Sequence, residues 1–388
     1  MVVGFVHLYG YGLGDNVIAM EAIYALKQIH SNVKVVLFGV GGAMERLVSQ
    51  VDFVDEYCSL EGYLPEESLP KINKYTYDYI IITKFYSHIF PLLPRLNATK
   101  IIIACKGANV FLPLLPRYRH IRLVPMRNLL LQKVGIRAHC LKMVRAIDKK
   151  IYDERYKEID FDKARVKTTQ ENKAFVDEFL HRSVGTSQNL ALILVNPFSI
   201  MCGHTLSLDG YFGLMRAITR LNLNGGGGNY NTQNANTIEK TKSKQNHTNT
   251  TNKSSHKDTA TTQAYPTRLL PLIITYPKVH SEFVAQLKKQ DDLHKSVLVF
   301  RNNDDLLNLA EMICRCEVVI SPSTGLIHLS SNLGIKTIGL YEKSESKKWS
   351  TKDNRYVFLK STKSNLTKQE ENLAIAQSID LLKQILQS

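Results

Sequence analysis

The sequence predicts an α/β protein of two domains, each with a parallel sheet covered by helices. The chain has 388 residues, which is enough for two hydrophobic cores. Short apolar runs alternate with segments of helical periodicity, and this alternation occurs in both halves of the chain. We predict an N-terminal domain over residues 1–165, a C-terminal domain over residues 166–366 and a closing helix over residues 367–388.

The elements of the first half follow one another as strand, helix, strand, helix, strand and strand. Strands are predicted at residues 2–8, 33–38, 79–83 and 100–104, where short apolar runs occur. Helices are predicted at residues 15–29 and 43–50, where apolar residues recur at helical spacing. A polar, charged stretch at residues 148–172 then separates the two halves.

The second half repeats this alternation of strands and helices. Strands are predicted at residues 190–195, 269–275, 297–300, 318–320 and 337–341. Helices are predicted at residues 208–221, 279–289, 306–315, 326–333 and 368–386. Both halves therefore fit Rossmann-like domains with a cleft between them.

A low-complexity insertion interrupts the second domain at residues 224–262. It consists mainly of Asn, Thr, Gly, Ser and Lys, so it buries too little apolar surface to offset the entropy of ordering. We predict that it is disordered. It joins a helix to the following strand and should emerge at the amino ends of the strands, whereas ligands bind at the carboxyl ends.

Composition excludes several protein classes. No apolar run approaches the roughly 18 residues of a membrane span, and no basic segment precedes an apolar stretch at the N-terminus. The six cysteines are scattered without a CxxC pair, which is typical of reduced thiols in the cytoplasm. A collagen, a coiled coil, a disulfide scaffold and an integral membrane protein are therefore not expected.

The net charge of +15 is concentrated in one part of the chain. Between Arg95 and Ile147 there are eleven Lys or Arg residues and no Asp or Glu, with an apolar segment at residues 111–116. Basic residues beside an apolar loop favour an anionic membrane, at about 1 kcal/mol each, or a phosphorylated glycolipid. The alternative is a solvated basic face over a buried Leu-Pro segment. Nucleic acid is a third option, which we do not favour as a partner because no recognised nucleic-acid module is present.

The first motif contains Gly10, Gly12, Gly14 and Asp15, between the first strand and the first helix. Glycines let the backbone approach a ligand, and the helix N-terminus presents unpaired N–H groups. The spacing is GxGxG rather than GxGxxG, and no acidic residue ends the second strand, so a nicotinamide dinucleotide is not predicted. Asp15 could alternatively be only a helix N-cap.

The second motif contains Ser323, Thr324, Gly325 and His328, at a turn from strand to helix. Its hydroxyl and N–H groups could bind a diphosphate, and His328 lies about one helical turn after Thr324, on the side of the same ligand. The alternative is a Ser/Thr N-cap followed by a half-buried histidine that bonds a carbonyl.

Residues 12–27, GLGDNVIAMEAIYALK, resemble the opening of the ADP-heptose:lipopolysaccharide heptosyltransferase family, glycosyltransferase family 9. Residues 323–331, STGLIHLSS, followed by GIKTIGLY at 334–341, resemble the second signature of that family. Residues 195–198 and 306–311 also lie where the family has similar segments. The resemblance spans most of the chain outside the insertion.

This resemblance implies the GT-B fold, in which two Rossmann-like domains face each other across a cleft. The C-terminal domain would hold the nucleotide sugar and the N-terminal domain the acceptor. Asp15 would be the general base of an inverting transfer, and Gly12 and Gly14 would form the acceptor-side loop. The scheme needs neither a metal nor a cofactor.

The resemblance also assigns the donor site. Ser323, Thr324, Gly325 and Leu326 would contact the diphosphate, and His328 would neutralise charge on the leaving nucleotide.

Further donor-site residues follow from the same comparison, together with two departures from the family pattern. Glu282 would contact the ribose. Family members often have Asp where Ser323 stands, and often have Lys in a Lys-x-Trp context where this chain reads MCGHTLS at residues 201–207. His204 is the nearest functional substitute for that lysine.

The expected protein is a cytoplasmic glycosyltransferase, peripherally associated with the inner membrane. It would move heptose from ADP-heptose onto a lipopolysaccharide core or another anionic glycolipid. Two alternatives remain open: a GT-B transferase that uses a different nucleotide sugar, and a non-catalytic nucleotide-sugar-binding protein.

Overall fold

The computed structural model describes the chain except residues 9–11, 61–65, 85–86, 106–110, 112, 127–134, 186–189, 199–204, 222–267, 350, 352–353 and 361–365. The predicted insertion lies outside the described residues. The chain before it ends in Leu221, which is buried, and resumes at Arg268, the amino end of a strand. Arg268 therefore lies at the amino ends of the strands, the side on which the insertion was predicted to emerge.

Two six-stranded parallel sheets form the centre of the described structure. The strands of the first sheet are β1 (Val2–His7), β2 (Lys34–Gly39), β3 (Glu56–Ser59), β4 (Tyr77–Ile82), β5 (Ala98–Cys105) and β6 (Ile121–Pro125). Those of the second are β7 (Leu190–Val195), β8 (Arg268–Thr275), β9 (Leu298–Arg301), β10 (Val318–Pro322), β11 (Lys336–Glu342) and β12 (Asn354–Leu359).

The helices are α1 (Leu13–Ile29), α2 (Gly42–Val48), α3 (Leu69–Ile72), α4 (Ile136–Arg145), α5 (Lys149–Arg155), α6 (Gln170–Val184), α7 (Leu208–Thr219), α8 (Pro277–Lys288), α9 (Leu306–Cys314), α10 (Gly325–Asn332), α11 (Lys343–Trp349) and α12 (Lys368–Leu386). Short 3-10 helices lie at Ser87–Arg95, Pro116–Tyr118, Tyr156–Glu158 and Phe161–Ala164. Every strand and helix predicted from the sequence is present within two residues of its expected bounds.

Both sheets have the same strand order. It is β3-β2-β1-β4-β5-β6 in the first sheet and β12-β11-β10-β7-β8-β9 in the second. Counted from its own first strand, each sheet has the doubly wound order 3-2-1-4-5-6, in which the order reverses between the first and fourth strands. The predicted α/β class with two Rossmann-like folds is confirmed.

Three strands were missed from the sequence, and all three lie at sheet edges. β3, β6 and β12 each have only one neighbouring strand. No residue of β3 is fully buried, and β12 alternates exposed and buried positions at its end. The central strands are buried along almost their whole length, as in β1, which makes them apolar runs that the sequence reveals.

Helix α1 lies between the two domains and contacts both. It packs against α4 on its own side and against α10 of the second domain. Its buried residues belong to one hydrophobic cluster that continues from Phe5 in the first sheet to Leu194 in the second. The two halves are therefore packed directly on each other along α1.

Polar contacts join the halves beside this cluster. Arg46 of α2 forms an ion pair with Asp305, the N-cap of α9, at 2.9 Å. The Asn332 amide donates to Glu21 of α1 at 3.2 Å and to the Ala164 carbonyl at 3.3 Å. Helix α12 packs on α7, so the closing helix lies on the second domain.

Candidate active site

The two sequence motifs follow strands on either side of the reversal point of each sheet. In the first sheet, β1 leads to Gly12 and α1, and its neighbour β4 leads to Lys84. In the second sheet, β10 leads to Thr324 and α10, and its neighbour β7 leads to Asn196. Doubly wound sheets bind ligands at this point, outside the carboxyl ends of the strands. Both motifs therefore occupy expected ligand positions.

The structure brings these two positions into contact with each other. A Cβ at Gly14 would lie 2.6 Å from Cδ2 of His328, and a Cβ at Gly325 would lie 2.8 Å from the Gly14 nitrogen. Only glycines allow the N-termini of α1 and α10 to approach so closely. Gly14, Gly325 and His328, which the sequence assigned to opposite domains of one site, are therefore neighbours.

Asp15 is the third residue of α1, not its N-cap. The N-cap is Gly12, and no side chain caps this helix, so the capping alternative for Asp15 is wrong. The Asp15 carboxylate instead lies beside Gly12, where a Cβ would be 2.5 Å from Oδ2. Among the described residues, its buried Oδ1 has no hydrogen-bond partner. An unsatisfied buried carboxylate oxygen is a costly feature that fits an acceptor for a proton.

The Asp15 carboxyl has an altered acidity. Burial raises its pKa to about 6, against the opposing charges of Lys84 and Lys348. At neutral pH the group is ionised yet basic enough to accept a proton, as a general base requires.

Polar side chains at the carboxyl ends of β1 and β4 were missed by sequence reasoning. The Nδ1 atom of His7 lies 2.9 Å from the Thr83 hydroxyl, and both residues are buried at the ends of β1 and β4. Burial lowers the pKa of His7 to about 3, so its ring is neutral. Thr83 and Lys84 join the site only because β4 pairs with β1, and nothing in the local sequence gives that pairing.

On the donor side, hydrogen bonds fix the Thr324 hydroxyl. The Asn196 amide donates to Ser321 Oγ at 3.0 Å and to Thr324 Oγ1 at 3.4 Å, and the two hydroxyl oxygens lie 3.1 Å apart. Thr324 has the N-cap position of α10, but its side chain caps no N–H group. The N–H groups at the start of α10 are thus left for another partner.

The other predicted contacts of the diphosphate lie around Thr324. Ser323 and Gly325 are half-buried at the turn, and Leu326 is buried beneath it. These positions agree with a turn whose backbone faces the cleft while its apolar side chain joins the core.

His328 is only 8% exposed, and burial lowers its pKa to about 4. The ring is therefore neutral at pH 7 and can donate a hydrogen bond, but it carries no positive charge. It packs edge to face on Trp349, with ring centroids 5.9 Å apart. Lys348 Nζ lies 4.3 Å from the Trp349 ring centroid. Sequence reasoning missed both α11 residues, because α11 is short and carries no recognisable motif.

One predicted donor residue, Glu282, is not brought into this cluster. Glu282 is exposed on α8, five residues after the helix begins, or about 7.5 Å along its axis. Within the described part of the chain it makes no hydrogen bond or ion pair. His204 lies outside the described residues, as does Gly10. The described residues contain no group of three or more metal-ligating side chains.

Comparison with known proteins supports the family resemblance and the fold. The family model for glycosyltransferase family 9 (heptosyltransferase) matches residues 288–377, which include the second signature and α11. This match confirms the resemblance seen in that signature. No curated protein matches the sequence.

Three solved structures share the fold at 12% sequence identity. A family 9 glycosyl transferase from Veillonella parvula DSM 2008 superposes with a TM-score of 0.66, covering 99% of this chain and 97% of its own. ADP-heptose lps heptosyltransferase II of E. coli gives 0.62, with coverage of 100% and 98%. E. coli heptosyltransferase WaaC with ADP gives 0.58, with coverage of 100% and 99%. The predicted GT-B arrangement is confirmed.

Proposed function

We propose that this glycosyltransferase, which carries the family 9 match in residues 288–377, transfers heptose from ADP-heptose to a lipopolysaccharide core acceptor with inversion. The observation that carries the proposal is the contact between the start of α1, where the half-buried Asp15 has a raised pKa, and the second signature at the start of α10. Two similar structures support the donor: one is the ADP-heptose lps heptosyltransferase II of E. coli, and the other is E. coli heptosyltransferase WaaC with ADP-2-deoxy-2-fluoro heptose.

The chemistry follows from the positions of the groups. Asp15 takes the proton of an acceptor hydroxyl as that oxygen attacks the anomeric carbon from the face opposite the nucleotide. The bond from the anomeric carbon to the phosphate oxygen breaks, and its electron pair leaves with the nucleotide diphosphate. The Thr324 hydroxyl and the N–H groups of α10 stabilise the departing charge, and neutral His328 contributes a hydrogen bond.

The alternatives make different use of the same site. Ser323 stands where family members often have Asp, and this difference is the reason for the alternative of a transferase that uses another nucleotide sugar. A non-catalytic binder would gain nothing from a carboxylate whose pKa is raised to about 6 beside the donor signature. Release of ADP from ADP-heptose in the presence of a core acceptor tests the proposed reaction directly, and donor binding without release would leave only the binder.

The acceptor side carries an exposed apolar loop, described at residues 111 and 113–115, followed by basic residues. Phe111, Leu114 and Leu115 are 63%, 75% and 48% exposed, so the alternative of a buried Leu-Pro segment is wrong. Arg117 and Arg119 follow and are also exposed. Apolar side chains that enter the lipid interface beside cations that meet anionic headgroups are the usual means of peripheral membrane binding.

Not all the basic residues between Arg95 and Ile147 are available to a membrane. Arg137 is paired with Glu21 at 2.5 Å, and Arg145 with Asp153 at 2.5 Å. The membrane-facing charge is thus carried by a subset beside the apolar loop. No helix in the described ranges is long and apolar enough to cross a bilayer. We therefore propose a cytoplasmic enzyme that binds the inner face of the membrane through this loop.

Replacing Phe111, Leu114 and Leu115 together with Ser should weaken binding to phosphatidylglycerol-containing vesicles by at least tenfold, because each side chain buries apolar surface in the interface. Co-sedimentation measures this binding. The matched control replaces Phe358 and Leu373, which are equally exposed on the second domain, and should bind as the wild type does. A loop variant that still binds as tightly as the wild type would refute the membrane role.

ADP binding should change the fluorescence of Trp349, the only tryptophan in the chain. Its ring contacts His328 at the donor position, so a diphosphate bound there alters the surroundings of the indole. Titration should saturate at the Kd obtained by calorimetry, and adenosine, which lacks the diphosphate, should give a smaller change. ADP that binds by calorimetry without any spectral change would place the nucleotide elsewhere.

A further inference from the structure

The donor side of the cleft needs a positive charge that His328 does not supply. A nucleotide diphosphate carries negative charge, and this charge increases on the phosphate oxygen when the sugar departs. Burial keeps the His328 ring neutral. The lysine that relatives often carry before α7 is absent, since residues 201–207 contain none. None of the residues placed so far at the donor signature therefore carries a positive charge.

Two ammonium groups act on the Asp15 carboxylate, and they come from opposite domains. Lys84 follows β4 and belongs to the acceptor side. Lys348 belongs to α11, which begins directly after β11. Strand β11 pairs with β10 from Lys336 to Leu340, and Leu340 lies beside Pro322, two positions before Thr324. Lys348 is thus on the element next to the donor signature.

A chain of contacts fixes Lys348 relative to this signature. Its Nζ lies 4.3 Å from the Trp349 ring centroid, at cation–π distance. Trp349 meets His328 at 71° between ring planes. The Tyr341 hydroxyl donates to the Trp349 carbonyl at 3.4 Å, which ties the end of α11 to β11. The ammonium is therefore joined through one aromatic ring to the first turns of α10.

We propose that Lys348 binds the diphosphate of the nucleotide-sugar donor and supplies the positive charge that stabilises the leaving nucleotide. The inference rests on the proposed glycosyl transfer and deepens it by naming the donor cation. The ammonium donates a hydrogen bond to a phosphate oxygen as the anomeric C–O bond breaks and the electron pair passes to that oxygen. No proton is transferred, so the nucleotide leaves as its diphosphate anion.

The same position links the donor cation to the base. Lys348 is one of two cations that hold the Asp15 pKa down against burial. Removing its charge should raise that pKa, so the acid limb of kcat/KM in the free enzyme should move to higher pH. A residue that only packs against Trp349 would not produce this shift.

Replacing Lys348 with Ala should weaken ADP binding at least tenfold by calorimetry, which corresponds to about 1.4 kcal/mol. Adenosine should bind the variant and the wild type equally. Lys347→Ala, the exposed neighbour on α11, is the matched control and should change neither binding nor the pH profile. Lys348→Arg should recover part of the affinity, and thermal unfolding verifies that each variant is folded.

The outcomes separate this inference from the proposed function. If the wild type binds ADP and Lys348→Ala binds it equally, the inference is overturned while the transferase stands. Pyrophosphate, the charged part common to the nucleotide diphosphates of sugar donors, is the second probe. If ADP does not bind but pyrophosphate binds in a Lys348-dependent way, the inference stands and the proposal that the donor is ADP-heptose is rejected. If the wild type and Lys348→Ala bind pyrophosphate with equal affinity, the inference is overturned.

Discussion

Asp15→Asn should lower kcat by about 10²- to 10⁴-fold, the range that a general base contributes, while Kd for ADP changes by less than about twofold. The amide has nearly the shape of the carboxylate but cannot accept the proton of the acceptor hydroxyl. Because the buried Oδ1 has no partner among the described residues, no structural hydrogen bond is lost with it. Steady-state kinetics and ADP calorimetry on the same preparation measure the two quantities.

The matched control for this substitution is Asp52→Asn on the same domain. Asp52 is exposed and lies in neither motif, so its neutralisation should leave kcat unchanged. An Asp15→Asn enzyme with full activity would remove the general-base assignment. A large loss of ADP affinity would instead assign Asp15 to binding.

The pH dependence of the wild type follows from the same group. Burial raises the Asp15 pKa to about 6, and the active form is the ionised one. As pH falls through 6 the carboxylate is protonated, so kcat/KM should fall about tenfold per pH unit below that value and level off above it. The residual activity of Asp15→Asn should lack this limb. A wild-type limb near pH 4 would show that burial does not act on the base as proposed.

Much of the fold was predictable because apolar runs and helical periodicity record burial directly. β1 and α1 bury nearly all of their apolar residues, and both were predicted. The edge strands β3, β6 and β12 were not, because polar or exposed positions interrupt their apolar residues, whereas the fourth edge strand, β9, begins with the apolar run LVF and was predicted. Strand order could not be predicted from the sequence either, since the pairing of β1 with β4 depends on packing between distant segments.

The residues of the candidate site likewise fall into those that a local sequence motif reveals and those that only tertiary packing brings together. Asp15, Thr324, Gly325 and His328 belong to contiguous motifs that begin helices, so their sequence neighbours reveal them. Lys348 contacts the site only through packing of α11, which no periodicity predicts.

Burial explains where even the recognised residues departed from expectation. The neutral state of His328 depends on how deeply that side chain is buried, and the raised pKa of Asp15 likewise depends on burial of its carboxyl group. Sequence can name a titratable group, whereas its charge is decided by the surrounding structure.

Gly325→Ala should lower kcat/KM by about 10²-fold, because the added methyl group would push the two domains apart. Its Cβ would lie 2.8 Å from the Gly14 nitrogen and 2.9 Å from the Leu13 Cβ, both at the start of α1. Neither atom is the end of a flexible side chain, and α1 is held by its buried face and by the pairing of Glu21 with Arg137. The methyl group must therefore move Asp15 away from the donor, and a displacement of about 1 Å can cost this much rate.

Gly42→Ala supplies the control, because a Cβ there meets nothing within 4 Å and kcat/KM should be unchanged. The Gly325 variant should also lose about 1–3 kcal/mol of unfolding free energy, as overpacking does.

Whether the loss of activity of Gly325→Ala lies in ADP affinity or in kcat identifies its cause. A loss confined to ADP affinity, read from Trp349 fluorescence, would mean that Gly325 acts through its own backbone contacts with the donor. A loss in kcat with ADP affinity largely kept would mean that the α1–α10 contact sets the distance from Asp15 to the reacting sugar. Full kcat and full affinity would show that the contact between Gly14 and Gly325 is not used in turnover.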